Sequence, residues 1–350
     1  MASDPIPATI DDVTADWLSA VTGFELRSIR AEQIGVGVGV SSAVYRVHLE
    51  GVGCPDSVVV KLPALDPAAV FTSTMLRMYI REAAFFNQLA DKSPIRVPAC
   101  HYATVDDLTS SFVVVMEDMG GFRSVDQVKG MSLPDAERAV DEIAAWHAQW
   151  WGKADDLAAA GITVSLGDPI YPAVLPMVFA EGWEKVSAAM PVAASIAGVA
   201  PRFGSGLASL LARLAASPTT VLHGDYRADN MLFSPDGSVA LLDFQLIGTG
   251  SGSYDLAYFL TQSIESQLAH EHEQGLFARW LDGLRRSGVP EADLTGLWEQ
   301  YRIAALFCLV YPIVASRGMD LSDPRQYELV DCMNSRLARA VEDLDLAELI

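Results

Sequence analysis

Val44-Tyr45-Arg46-Val47-His48-Leu49 alternates between apolar and polar positions, the period-two pattern of a half-buried strand. Val58-Val59-Val60-Lys61-Leu62 is an apolar β-branched run broken only by its lysine. Ser111-Phe112-Val113-Val114-Val115-Met116 is another such run and leads into an acidic turn at Glu117-Asp118-Met119-Gly120-Gly121. Between them, Met75 to Leu89 has helical periodicity. A second helix start lies at Ser132-Leu133-Pro134-Asp135-Ala136-Glu137, with proline and acids in the first turn, and its pattern runs toward Trp150-Trp151. Further on, Thr219 to Leu222, Met231 to Phe233 and Val239 to Leu242 read as short strands, with a turn at Ser234-Pro235-Asp236-Gly237. Ile303 to Ser316 is the most apolar late segment; it is too short to span a bilayer and suits a buried helix. The pattern predicts two parts: strand-rich residues 1–119, and residues 120–350, mainly helical apart from the strands near 219–242.

Those strands carry the most informative stretch of the chain. His223-Gly224-Asp225-Tyr226-Arg227-Ala228-Asp229-Asn230 follows the first of them, and Asp243-Phe244-Gln245 ends the third. An Asp, an Asn five residues later and a second Asp at a strand end match the spacing of a base and two metal ligands in phosphoryl transfer. A phosphate chain must be neutralised by divalent cations, which take hard oxygen ligands such as Asn and Asp side chains. A free carboxylate nearby can then orient the attacking hydroxyl. A tight turn between the second and third strands would bring Asn230 and Asp243 to the same hairpin end.

This motif set resembles the aminoglycoside phosphotransferase and choline kinase superfamily. The Asp-Phe-Gln, with Tyr254-Asp255-Leu256-Ala257-Tyr258-Phe259-Leu260 after it, is most similar to the ecdysteroid-kinase-like branch and its bacterial relatives. The resemblance implies an α+β, bilobal protein-kinase-like fold with a small β-rich N-lobe and a larger, mainly helical C-lobe. It implies ATP (GTP not excluded) and Mg²⁺ as cofactors and a small-molecule hydroxyl as acceptor. Asp225 is then the catalytic base, Asn230 and Asp243 the metal ligands, and Asp255 a structural residue holding the catalytic loop. Gln245 stands where protein kinases have the glycine of Asp-Phe-Gly, which favours the small-molecule branch.

A nucleotide cradle is expected from the N-terminal part. Gly35, Gly37 and Gly39, with Ser41, precede the strand at 44–49, and glycines let backbone N–H groups approach phosphate oxygens. No Gly-Lys-Ser/Thr follows, so this is not a Walker A loop. No helix follows at once, so it is not a dinucleotide fingerprint. Lys61 sits in an apolar strand, where a charge must be paired or reach out to solvent. A kinase reads it as the lysine that holds nucleotide phosphates, with Glu82 of the following helix as its partner. The resemblance also implies that the backbone around Glu117 to Met119 is the hinge that reads the adenine edge.

Composition narrows the partners. With 24 basic against 45 acidic residues the net charge is −21, which argues against a nucleic-acid binder and against docking on an anionic membrane surface. Cys54, Cys100, Cys308 and Cys332 are widely separated, with no CxxC, so neither a metal cluster nor a disulfide framework is indicated and a reducing cytoplasm is the default. The N-terminus lacks a signal pattern. No obligate protein partner is expected.

The acceptor site is expected between about 155 and 205, around Asp168 to Pro172, Phe179 and Trp183, with Tyr301, Phe307, Tyr311 and the Arg317 segment closing it. Such a pocket would suit a rather apolar alcohol; each aromatic also reads as helix-packing core. His147 reads as a packed helix histidine, or else as a ligand or base, and His223 as a support of the loop. Two other functions compete: a nucleotide-binding pseudokinase, against which no expected polar site residue is missing, and a kinase conferring resistance to aminoglycosides or macrolides.

Overall fold

A computed structural model describes residues 5–35, 41–216 and 218–350. Gly37 and Gly39 lie outside the described residues. The chain divides into two compact units, residues 1–122 with 240–246, and residues 123–239 with 247–350.

The first unit is built on a five-stranded sheet: β1 (Glu25–Ile34), β2 (Ser42–Val52), β3 (Ser57–Pro63), β4 (Cys100–Asp106) and β5 (Ser111–Glu117), in the spatial order β1-β2-β3-β5-β4. All neighbours are antiparallel, and Lys61 of β3 stands opposite Val44 on one side and Val114 on the other. The expected alternation on β2 is real. Tyr45, Val47 and Leu49 are buried, and they join Val58, Val60, Val113 and Val115 in a core that the helix Ala15–Thr22 covers through Leu18. β3 is buried continuously from Val58 to Leu62, as a central strand covered on both faces must be.

The helix expected over 75–89 is interrupted. One helix spans Pro67–Met75 and a second Met78–Gln88, with Arg77 between them in the left-handed region at φ +56°. A residue in that conformation cannot continue a right-handed helix, so the chain changes direction there although its apolar periodicity carries on. The second helix buries Tyr79, Glu82, Phe85 and Phe86. The returning segment 240–246 supplies Phe244, whose ring stacks on Phe85 at 3.6 Å between centroids and meets Phe86 edge-on.

The second unit is mainly helical, with helices including Leu133–Trp150, Ile170–Ala189, Ala194–Leu214, Ser253–Gln262, Ser266–Arg286, Leu297–Phe307 and Pro324–Asp343. Ser132 caps the first of these, its side chain accepting from the Asp135 N–H. The apolar stretch at 303–316 is buried but divided between Leu297–Phe307 and a short helix, Val310–Ala315. The strand Thr220–Leu222 pairs with Gly248–Gly250, and Met231–Phe233 with Arg123–Ser124. The turn after Phe233 closes by Gly237 N–H donating to the Ser234 carbonyl. The four cysteines are free, and among the described residues no helix is long and apolar enough to cross a membrane.

Phe244 is fully buried, so Phe244→Ala should remove about 3–5 kcal/mol of stability, read from the urea midpoint with unchanged slope. A loss below about 1 kcal/mol would show that its stack on Phe85 is not part of the core.

Candidate active site

β3, the helix Met78–Gln88 and the segment 240–246 place three charged groups together in the first unit. Lys61 Nζ donates to Glu82 Oε1 at 2.8 Å and to Asp243 Oδ1 at 3.0 Å. The ion pair expected between Lys61 and Glu82 is therefore formed, and Asp243 joins it. Burial works against the ammonium, but the two carboxylates outweigh it and hold Lys61 above the ordinary lysine range. Glu82 is pushed up to about 7, first by burial and then by Asp243, against the pull of Lys61.

Asp243 has φ +64°, a left-handed conformation that a non-glycine residue holds only when its surroundings impose it. Its other oxygen, Oδ2, accepts from Gln245 Nε2 at 3.2 Å. Gln245 Oε1 in turn accepts from Ser41 Oγ at 2.8 Å. Gly35 has φ +66°, open to glycine without strain. Glu117 ends β5 with its N–H on the Ala99 carbonyl and its carboxylate on Arg96 at 2.6 Å. The Met119 carbonyl accepts from the Phe122 N–H.

In the second unit, the loop after Thr220–Leu222 is held by one carboxylate. Asp255, fully buried on the helix Ser253–Gln262, accepts the His223 N–H at 2.7 Å and the Gly224 N–H at 2.9 Å. Gly224 has φ +84°, which lets two successive N–H groups converge on that side chain. His147 lies 3.2 Å from Asp255 through Nε2, and its Nδ1 accepts from Trp280 Nε1 at 3.1 Å. Because indole only donates, Nδ1 is the acceptor and Nε2 carries the hydrogen given to Asp255. His147 is thus a buried support. His223 is also buried, and its Nδ1 accepts from the Asp225 N–H at 3.3 Å.

Asp225 receives three side-chain donors. Arg227 Nε reaches Oδ1 at 3.1 Å, Asn230 Nδ2 reaches Oδ2 at 2.8 Å, and the Tyr258 hydroxyl also bonds the carboxylate. Burial pushes the Asp225 carboxyl up, but Arg227, His223 and these hydrogen bonds outweigh it, and it lies below the ordinary value. Such a carboxylate is a weak base in the ground state. A group of this kind can align a hydroxyl and take a proton late, as charge leaves the oxygen.

Asn230 lies in the second unit and Asp243 in the first. Among the described residues no group of three or more His, Cys, Asp or Glu is placed to hold a metal. Each of the two residues by itself offers an oxygen of the kind a hard divalent cation takes: Asn230 commits its Nδ2 to the Asp225 carboxylate and backbone carbonyl, which leaves its Oδ1 for a ligand, and the Asp243 side chain keeps a quarter of its surface open.

Two residues here went unassigned in the sequence. Arg227 binds Asp225, Asp229 and Gln127, and Tyr258 sits one helical turn from Tyr254. Both belong to the motif runs, but nothing in their spacing says which side chains turn inward. The expected acceptor aromatics divide. Phe179 packs on Phe203, Tyr301 donates to Glu273, and Phe307 lies against Tyr254, all as core. Tyr311 instead stacks flat on Tyr258 at 3.8 Å and bonds the Tyr254 hydroxyl. Tyr171 and Trp183 are half-buried, and Arg317 pairs with Glu181 at 2.6 Å.

Arg227→Met should raise the Asp225 carboxyl toward the ordinary carboxylate range, followed by carboxyl-carbon NMR. The wild-type group stays ionised until the pH falls below the ordinary carboxylate range. The stability it gains from Arg227 is therefore present above about pH 4 and lost as the pH falls through the depressed value. An unmoved titration in the variant would assign the depression to other groups.

A family model described as the phosphotransferase enzyme family matches residues 32–294. Among curated proteins none matches. Several solved structures are similar along nearly the whole chain. A provisionally assigned aminoglycoside phosphotransferase from Ralstonia eutropha JMP134 has 17% identity and a TM-score of 0.58, with 95% of this chain and 97% of that one covered. A choline kinase from Cryptosporidium parvum Iowa II has 12% identity and a TM-score of 0.57, with 91% and 89% covered. The amicoumacin kinase hAmiN, solved with AMP-PNP, Ca²⁺ and amicoumacin, has 12% identity and a TM-score of 0.54, with 91% of each chain covered. At these identities the likeness is one of fold, an α+β kinase-like architecture with a small sheet-rich part and a larger helical one. The family match spans most of the chain, and the protein accordingly belongs to the phosphotransferase enzyme family.

Proposed function

We propose that this phosphotransferase uses ATP and Mg²⁺ to phosphorylate a hydroxyl of a small, rather apolar alcohol in the cytoplasm. Residues 1–119 act as the nucleotide-binding lobe and 120–350 as the catalytic and acceptor-binding lobe. The observation that carries the reading is the buried Lys61 ammonium held by Glu82 and Asp243, an arrangement of fixed charge suited to a phosphate chain. The complex of hAmiN with AMP-PNP and Ca²⁺ supports a nucleotide and a divalent cation as partners of this fold.

In this reading the backbone of Gly35, Gly37, Gly39 and Ser41 cradles the phosphates, and Lys61, oriented by Glu82, binds their oxygens. The backbone at Glu117 and Met119 reads the adenine edge. Asn230 and Asp243 hold Mg²⁺, which neutralises phosphate charge when bound. Asp225, fixed by Arg227, Asn230 and Tyr258, aligns the acceptor hydroxyl and takes its proton as the γ-phosphoryl group passes to the oxygen and ADP leaves. The stacked Tyr258 and Tyr311 beside Asp225 favour an acceptor with apolar surface next to its hydroxyl. The Asp-Phe-Gln motif favours the ecdysteroid-kinase-like branch.

The test is ADP release with ATP and Mg²⁺ across a panel of apolar alcohols, amino alcohols, sugars, aminoglycosides and macrolides. One acceptor class should stimulate release, and Asp225→Asn should lower it at least about 100-fold while ATP binding stays within about twofold. Retained turnover in that variant would remove Asp225 from the chemistry. Magnesium-dependent ATP binding with no acceptor across the panel would favour the pseudokinase reading instead.

A further inference from the structure

Gln245 has a role that the proposed chemistry does not use. It is buried at 7% exposure, and its amide is engaged at both ends: Oε1 accepts from Ser41 Oγ at 2.8 Å, and Nε2 donates to Asp243 Oδ2 at 3.2 Å. Ser41 is itself a fixed post. Its carbonyl accepts from the Tyr79 hydroxyl at 2.9 Å and from Ser73 Oγ at 3.3 Å, and the Tyr79 oxygen accepts from the Ala64 N–H. On the other side, Asp243 Oδ1 accepts from Lys61, and Lys61 donates to Glu82. Tyr79 and Glu82 are three residues apart on the helix Met78–Gln88. The bonds therefore form a closed circuit that leaves this helix at Tyr79, passes through Ser41, Gln245, Asp243 and Lys61, and returns to it at Glu82.

We infer that Gln245 is a positioning residue that ties Ser41, at the end of the glycine-rich segment, to the carboxylate of Asp243, so that metal affinity and phosphate contact are set together. The inference rests on the reading of Asp243 as a metal ligand. A primary amide suits this place because it accepts from a hydroxyl and donates to a carboxylate at once. Glutamate would set a second negative charge beside Asp243, and glycine would leave both partners unbonded. Asp243 needs the support, since its left-handed backbone is held only by its surroundings. Donors that fix a metal-binding carboxylate govern its affinity, and their loss weakens metal binding by about tenfold or more.

The experiment is a Mg²⁺ titration of ATP binding by calorimetry on the full chain, with Gln245→Met, Ser41→Ala, their double variant and Asp243→Asn, and thermal unfolding recorded for each. Gln245→Met should raise the half-saturating Mg²⁺ concentration by about tenfold. Ser41→Ala should raise it by about fivefold, the share of one hydrogen bond, although Ser41 is not a metal ligand. The double variant should be no worse than Gln245→Met within about twofold, because both changes cut the same path. A Gln245→Met protein that melts lower but titrates like wild type would reduce Gln245 to packing and overturn the inference. Additive effects of the two substitutions would do the same. Should Gln245→Met not fold, Ser41→Ala decides alone, and an unmoved titration there overturns the coupling. Asp243→Asn separates the two levels. If it leaves the Mg²⁺ dependence intact, the metal reading falls and the inference with it; if it abolishes that dependence while Gln245→Met and Ser41→Ala are silent, only the inference falls.

Discussion

The first unit is organised around one buried ammonium. Lys61 is 4% exposed in the centre of a five-stranded sheet, where an unpaired charge would cost several kcal/mol. Neither of its partners comes from the sheet. Glu82 arrives on a helix and Asp243 on a segment 182 residues away in sequence. Asp243 reaches Lys61 because the chain returns, and residues 240–246 belong to the first unit. The return is secured by packing, with Phe244 stacked on Phe85 one turn beyond Glu82. One ammonium between two carboxylates leaves an excess of negative charge, and Glu82, raised first by burial, is raised further by Asp243. A divalent cation relieves such an excess, which is why the proposed cofactor suits the cluster and a purely structural ion pair would not need its second acid.

The second unit solves the opposite problem. Asp225 is a buried carboxylate, and it is surrounded by donors from Arg227, Asn230 and Tyr258. The loop bearing it is fixed by backbone bonds to Asp255, itself held by His147 and Trp280. Supports are thus layered outward from Asp225 to a tryptophan of another helix. Each layer has its hydrogen-bonding groups directed by the next, so the carboxylate is aimed before any ligand arrives.

Much of this was legible in the sequence where a local rule applies. Alternation located β2, the β-branched run located β3, and Ser132 with Pro134 located the start of a long helix. The kinase-like family followed from the ordered Asp225, Asn230 and Asp243 on strand ends. What periodicity could not reveal was backbone geometry at single residues. Arg77 breaks a helix whose apolar spacing continues through it, and Asp243 adopts a left-handed conformation uncommon outside glycine. Nor could it separate aromatic roles. Phe179, Tyr301 and Phe307 are spaced like Tyr311, yet the first three pack as core and Tyr311 lies against a tyrosine bonded to Asp225. That distinction depends on which neighbours long-range packing supplies. Gly37 and Gly39 lie outside the described residues, so the cradle rests on the glycine spacing and on Gly35 and Ser41.

Gln245 shows what the family motif gains by departing from Asp-Phe-Gly. Glycine at that place gives the backbone freedom, which serves a kinase that must be switched by flipping the preceding residues. A glutamine restricts the backbone and adds two directed bonds. Here both bonds are used, one to Ser41 and one to Asp243. The strained conformation of Asp243 is therefore over-determined: Lys61 holds one oxygen, Gln245 the other, and the Phe244 ring anchors the next residue in the core. A site built this way has little to gain from a motif that flips.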